Sequence, residues 1–282
     1  MNKLIILFIF SLSCSAAFAQ DYIPTKADLD RFPTTKTMVV LEDNILSEYN
    51  LIMKEVMPQE WKMTPFDYIS WKDFEKKRMD PKLSFIIMTQ VKFDKDKMNT
   101  KYNFISLVLG GTNFSLNQMP DLCSLPLSYY GIGDMEYSYK LGIFLRFMQN
   151  HVKMLTAQPN LAGENILMHY NKNIADLKGK TLYLVADDMA KEVGTLAKIK
   201  SVFAGNVKLV TPEEVQKAIA EKKDVVLLHK VGPAGSREKA RCYKMLIGAA
   251  DAQVYYFNFH MINDKNPDGF LASDFKKLDK KQ

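Results

Sequence analysis

Continuous apolar runs alternate with stretches of helical spacing along this chain, and the same alternation is written twice. "VKLVTPEEVQKAIAEKKDVVLLHKV", residues 207–231, reads as strand, capped helix, strand, and "FDYISWKDFEKKRMDPKLSFIIMTQV", residues 66–91, reads the same way. In the second stretch Thr211 is placed as an N-cap, Pro212 at the first helical position and Glu214 to close a capping box; Ser70 and Asp73 hold the matching positions in the first. Each unit is preceded by an apolar run that ends in carboxylates, "KTMVVLED" (36–43) and "KTLYLVADD" (180–188). Such runs predict strands buried on both faces, each followed by a helix. The first helix is predicted over "ILSEYNLIMKEVM" with Pro58 as its stop, the second over "MAKEVGTLAKIKSVF" with Gly205 ending it.

The spacings Lys36 to Lys180, Ser70 to Thr211 and Phe85 to Val226 agree to within three residues. "YNFISLVLGG" pairs with "CYKMLIGAAD" as a fourth strand, and "LCSLPLSYY" with "AQVYYFNFHMI" as a fifth. A closing helix recurs in "MEYSYKLGIFLRFMQNHVKML" and "FLASDFKKL". The pattern predicts an α/β (α+β) protein of two similar mixed-sheet domains, each βαβαββ with a further strand and a closing helix, arisen by internal duplication. The boundaries read as an extension over 20–35, a first domain over 36–155, a linker over 156–179 in which "TAQPNLAGEN" is a flexible joint, and a second domain over 180–282. The first closing helix carries Leu141, Phe144, Leu145, Phe147, Met148, Val152 and Leu155, a face wide enough to brace both domains.

The amino terminus changes the cellular picture. Lys3, an apolar run from Leu4 to Leu12, and Ala17-Phe18-Ala19 have the form of a secretory signal peptide over 1–19. Cys14 opens the alternative of a lipid anchor, although Ser11 stands where a lipoprotein signal has a large aliphatic residue. No later stretch has the roughly 20 uncharged apolar residues of a spanning helix, so an exported chain, periplasmic or extracellular, is expected. Export permits disulfides, which makes Cys123 and Cys242 candidates for a bridge between the halves, with two buried thiols as the plainer expectation. The composition, 47% hydrophobic and 25% charged, is that of a globular protein, and part of the net charge of +6 lies in the tail "FKKLDKKQ". No basic stripe interleaved with aromatics points to nucleic acid.

The order strand, helix, short strand, capped helix, consecutive strands resembles the amino-terminal domain of TolB and its envelope relatives, here in tandem. "VVLED", "LVADD", "TPEEVQKAIAEKKDVVLLHKV" and "CYKMLIGAA" carry the likeness. The resemblance implies a noncatalytic envelope protein that works through contacts with a protein or envelope component. "IADLKGKTLYLVADD" and the elements after it are also similar to the second lobe of extracellular solute-binding proteins, which makes a small-molecule binder the alternative. An envelope hydrolase using Asp43, Asp187 or Asp188 with a metal is the third reading.

Those aspartates follow strands, where open α/β sheets take ligands, yet an aspartate there can also cap a helix. "GIGDME" reads as a turn with Asp134 as cap, and "GPAGSREKARC" as a hairpin loop that lacks phosphate-loop spacing. His151, His169, His229 and His260 show no metal-binding spacing, and no serine-hydrolase elbow occurs. No cofactor is implied. In "VYYFNFHMI" strict alternation puts Tyr255, Phe257, Phe259 and Met261 on one face and Tyr256, Asn258, His260 and Ile262 on the other. Tyr256 and His260 are therefore candidates for contact with a ligand or partner.

Overall fold

The computed structural model describes residues 23–93, 100–111, 115–163, 166–233 and 239–279. The signal sequence, Cys14, most of the glycine-rich loop after Val231 and the last three residues lie outside them.

Two five-stranded mixed sheets form, each with helices against it. In the first, β1 (Lys36–Val40) lies between β2 (Phe66–Ile69) and β3 (Leu83–Val91), parallel to both; β4 (Tyr102–Leu109) and β5 (Asp121–Tyr129) continue antiparallel beyond β3. In the second, β6 (Thr181–Val185) lies between β7 (Asn206–Val210) and β8 (Val226–Val231), and β9 (Arg241–Gly248) and β10 (Val254–Met261) follow in the same order. The duplication is thus repeated in strand order and direction.

The helices follow the expected plan with local departures. α1 (Lys26–Arg31) has a capping box from Thr25 and Asp28, and it buries Leu29, with Phe32 of the next turn, in the core. Within α2 (Glu48–Glu60), Ser47 is the cap and Pro58 is interior, so Pro58 does not stop the helix. Proline has no N–H for the carbonyl four residues back. That carbonyl, of Lys54, accepts instead from the Tyr68 hydroxyl at 3.4 Å, which lets the helix run to Trp61. α3 (Trp71–Lys77) is capped by Ser70. The closing helix of the first unit is α4 (Leu141–Ala157), followed by α5 (Ile166–Tyr170). The single helix expected after β6 is broken into two 3-10 turns and a short α6 (Leu196–Lys200), because Gly194 and the Thr195 cap restart the chain. α7 (Pro212–Ala220) shows the complete Thr211–Glu214 capping box, and α8 (Ala272–Asp279) closes the second unit.

Right-handed crossovers place α2 and α3 on opposite faces of the first sheet. Met38, Val40, Phe85 and Ile87 meet Phe74 of α3 on one face, and Val39 and Ile86 share the other with Tyr49, Met53 and Met57 of α2. In the second sheet Leu182, Leu184, Val226 and Leu228 pack with Ile199 of α6 and Phe275 and Leu278 of α8, while Tyr183, Leu227 and Met245 face Val215, Ala218 and Ile219 of α7. The α2 and α4 face of the first unit and the α7 face of the second belong to one continuous core. α4 is buried between them: Phe144 lies 4.7 Å from the His229 ring, Arg146 Nη1 donates to Ala250 O at 2.8 Å, and Asn150 Nδ2 donates to Asp251 O at 2.9 Å.

The later part of the linker expected over 156–179 is built along the edge of the second sheet from Ile166 onward. Asn171 accepts from Phe257 N at 2.8 Å and donates to Phe257 O at 3.0 Å, and Asn173 donates to Val254 O at 2.8 Å. Two side-chain amides thereby stand in for a neighbouring strand along the edge of β10, which would otherwise be open to pairing. Among the described residues no helix is long and apolar enough to cross a membrane.

Candidate functional site

The carboxyl ends of β1 and β3 open into a cleft of about 420 Å³. Glu42, Asp43, Thr89, Gln90, Asn103 and Asp134 supply its polar wall, with Trp71, Met88, Tyr130 and Tyr137 among its apolar lining. The loop after β1 is held by Asn50, a buried residue of α2. Its Oδ1 accepts from Glu42 N at 2.9 Å, and its Nδ2 donates to Glu42 O at 2.9 Å and Asn44 O at 2.8 Å. Ser47 caps α2 through Asn50 N, so Asp43 is free of the capping role that its position allowed. Asp134 does not cap either: its turn begins at Gly133 without a side-chain cap, and its Oδ1 accepts from the Tyr137 hydroxyl at 2.9 Å.

Three carboxylates share this cleft, and among its described lining residues there is no lysine or arginine. Burial raises the Glu42 carboxyl, the Ser47 hydroxyl opposes the shift, and Asp134 and Asp43 add to it. Burial also raises the Tyr137 phenol, with Asp134 beside it contributing. Tyr49, fully buried behind Glu42, has a hydroxyl with no hydrogen-bond partner; its phenol is raised by burial and then by Glu42. The loops that line the cleft carry exposed apolar side chains: Ile45 at 73% and Leu46 at 75% exposure soon after Asp43, and Met135 at 77% next to Asp134, while Tyr130 and Trp71 line the cleft itself. No group of three or more histidines, cysteines or carboxylates able to hold a metal ion occurs among the described residues.

The second unit carries the same position in a closed form. Ser70 and Thr211 cap the matching helices, so Ile69 and Val210 correspond, and with them their ladder partners Val40 and Val185; Glu42 and Asp43 then correspond to Asp187 and Asp188, and Met88 to Lys230. One step beyond the β8–β9 ladder, Gln90 and Asn103 correspond to Gly232 and Cys242. Here residues 268–271 cross the strand ends. Phe270 N donates to Asp188 O at 2.9 Å, Ala190 N donates to Phe270 O at 3.0 Å, and Met189 and Phe270 form a parallel bridge. Gly269 N donates to Cys242 Sγ at 3.4 Å, and Lys230 Nζ pairs with Asp268 Oδ2 at 2.8 Å. Gly232 leaves the room: a Cβ there would lie 2.0 Å from Asp268 Oδ1. Burial raises Asp188, while Lys140 and Lys230 pull it down.

Compared with protein-family models, curated proteins and solved structures, the chain shows no match.

Of the candidate contact residues named from sequence, Asp43 reaches the open cleft, together with Glu42 beside it and with Asp134, which was expected as a cap. Asp187 and Asp188 lie at the closed position, neither as a helix cap. Tyr256 is not a surface residue: it is buried beneath α8, donating to Asp274 Oδ1, which also belongs to the buried pair with Lys244 at 2.6 Å. A bulge between Val254 and Tyr256 breaks the expected alternation, so Tyr255 joins Tyr256 in the core of the second unit and Phe257 faces the first. His260 Nε2 meets Pro267 O at 2.9 Å and helps fix the crossing segment's approach. Cys123 and Cys242 are free and buried in separate clusters, with burial raising both thiols, Cys242 to about 12; the bridge between halves is not formed. Sequence reasoning passed over Asn50, Gln90, Asn103 and Tyr130, while Trp71 belongs to the aromatic-dense stretch "PQEWKMTPFDYISW", for which core packing was the expectation and a binding face the alternative. The one available signal was a lone asparagine on the apolar side of a helix, where a buried amide needs partners.

Proposed function

We propose that this is an exported, noncatalytic binding protein whose first unit presents a docking cleft to a protein or envelope component. One comparison within the chain carries the reading: the position that the second unit closes with its own residues 268–271 stands open in the first, with polar groups inside and exposed apolar side chains on the loops that line it. Ligand sites of open α/β sheets lie at carboxyl strand ends, and exposed apolar groups gathered at one place mark interaction surfaces. The amino-terminal pattern supports export, and the likeness to the amino-terminal domain of TolB and its envelope relatives supports a role through contacts. A small-molecule ligand is the second reading, favoured by a volume within the range of about 300–1,000 Å³ usual for such sites.

A photo-crosslinking amino acid at Met135 or Leu46, in cells of the source organism, tests the proposal. A recurrent adduct is expected from these positions and not from Lys198, on the far side of the second unit. Absence of any adduct at the rim would refute a docking cleft. Turnover of a defined substrate that is lost on changing Glu42 or Asp134 would refute the noncatalytic reading.

A further inference from the structure

We infer that the cleft accepts an extended peptide segment of a partner that brings a basic side chain. The inference rests on the reading above and names the chemistry of that site's occupant. Its ground is that the second unit already contains an occupant at the same register, and that occupant is a stretch of polypeptide. Residues 268–271 bind there mainly through backbone: Phe270 N to Asp188 O, Ala190 N to Phe270 O, and Gly269 N to Cys242 Sγ. In the first unit the matching backbone of Asp43 and its neighbours borders the cleft, and Asn103 offers an amide where Cys242 offers sulfur. Capture of an extended peptide through main-chain hydrogen bonds, with side-chain pockets giving selectivity, is a recurrent mode of recognition.

Charge decides what the peptide carries. In the second unit Asp188 is balanced by Lys140 and Lys230, and Lys230 also holds Asp268 of the occupant. In the first unit the residue at the place of Lys230 is Met88, and Asp43, Glu42 and Asp134 line the cleft without a described cation. None of the described lining residues supplies the counter-charge that Lys230 gives in the second unit, so these carboxylates favour an occupant that carries a basic side chain. Trp71 at the mouth adds a ring face that attracts an ammonium or guanidinium group, as the Tyr130 ring already does for Lys101 Nζ, 5.2 Å from its centre. Gln90 stands in place of Gly232, where a Cβ would lie 2.0 Å from Asp268 Oδ1, so the first unit does not hold an aspartate in the position that Asp268 takes in the second.

The test is an amide and indole NMR titration of the protein with three probes: acetyl-Lys-Gly-Phe-Leu-amide, acetyl-Asp-Gly-Phe-Leu-amide, which copies residues 268–271, and n-butylamine. The lysine peptide is expected to shift Leu41 to Asn44, Gln90 and the Trp71 indole, saturably and at least about tenfold more tightly than the aspartate peptide, with the difference shrinking in salt and in Asp43→Asn. Equal binding of the two peptides, or tighter binding of the aspartate peptide, overturns the charge argument. Shifts with n-butylamine but with neither peptide overturn the peptide argument. If rim crosslinks form in cells while no probe shifts the cleft, this inference falls and the docking cleft stands; if the crosslinks fail, the docking cleft itself falls.

Discussion

His229 gives the sharpest quantitative expectation. It sits in β8 with its ring against Phe144 of α4 and its Nε2 at 2.9 Å from Pro126 O, inside the contact between the two units. Burial lowers it from 6.5 to about 3, and Lys140 and then Lys230 add to the shift against the pull of the Pro126 carbonyl. His151, on α4, is lowered to about 4 by burial and by His169. A histidine lowered in the folded state leaves the unfolded chain holding more protons below pH 6.5. Stability is therefore complete above about pH 6.5 and is lost as pH falls toward the folded value. At pH 5 the loss is set by the distance from 6.5, about 1.5 units, or about 2 kcal/mol for each histidine. Because pH 5 lies above both folded values, this figure does not depend on how deep either shift is. Urea unfolding at pH 7.5 and pH 5.0 measures it, with His229→Gln as the comparison, since glutamine keeps a donor for Pro126 O and does not titrate. The variant should lose about 2 kcal/mol less than the parent between the two pH values, or about 4 °C less in melting temperature. The same pH dependence in both proteins would refute the assignment of His229 as a neutral, buried contact.

Tyr49→Phe removes a buried hydroxyl that has no partner and should leave stability unchanged or raise it by about 1 kcal/mol; a clear loss on thermal melting would mean the hydroxyl is satisfied. Lys244→Met leaves Asp274 buried without its cation, and a loss of about 3–5 kcal/mol is expected by urea unfolding, largely recovered in the pair Lys244→Met with Asp274→Leu. Asn171→Ala strips both hydrogen bonds from Phe257 and should cost about 1–2 kcal/mol, with amide exchange rising at Phe257 and not along β9. Gly269→Ala meets both a φ of +118° and a Cβ position 2.6 Å from Ala190 N; a loss of about 1–3 kcal/mol is expected for forcing that conformation, read as a lowered melting temperature.

Strand order and the capped helices could be read from sequence because each depends on residues a few positions apart: Thr211, Pro212 and Glu214 state a helix start without help from the rest of the chain. Register could not. With the caps Ser70 and Thr211 matched, Ile69 and Val210 correspond, and through the ladders Ser84, not Phe85, matches Val226 and Thr37, not Met38, matches Leu182; a shift of one residue turns every side chain to the opposite face. The bulge at Val254 does the same to Tyr255 within one strand. Pro58 misled because the acceptor that rescues its helix, the Tyr68 hydroxyl, comes from a separate strand. The cleft was only partly legible for a related reason. Asp43 and Asp187 look alike in sequence, and what separates an open site from a closed one is the path of residues 268–271, set by Gly232, Gly269 and Lys230 far along the chain.

The shared core has a consequence for how the protein can be handled and how it arose. The α2 and α4 face of the first unit meets the α7 face of the second, so the contact joins unlike surfaces. After duplication the copies came to stack front to back, and each now depends on apolar side chains supplied by the other. Cutting the chain between Ala157 and Ile166 would take Phe144 from His229, and Tyr102 and Phe104 from Tyr243, leaving each ring without the partner now on the other fragment. Such fragments should aggregate apart and recombine when mixed. The repeat is legible as two copies, but it behaves as one object: a pair that lost the freedom of its parts.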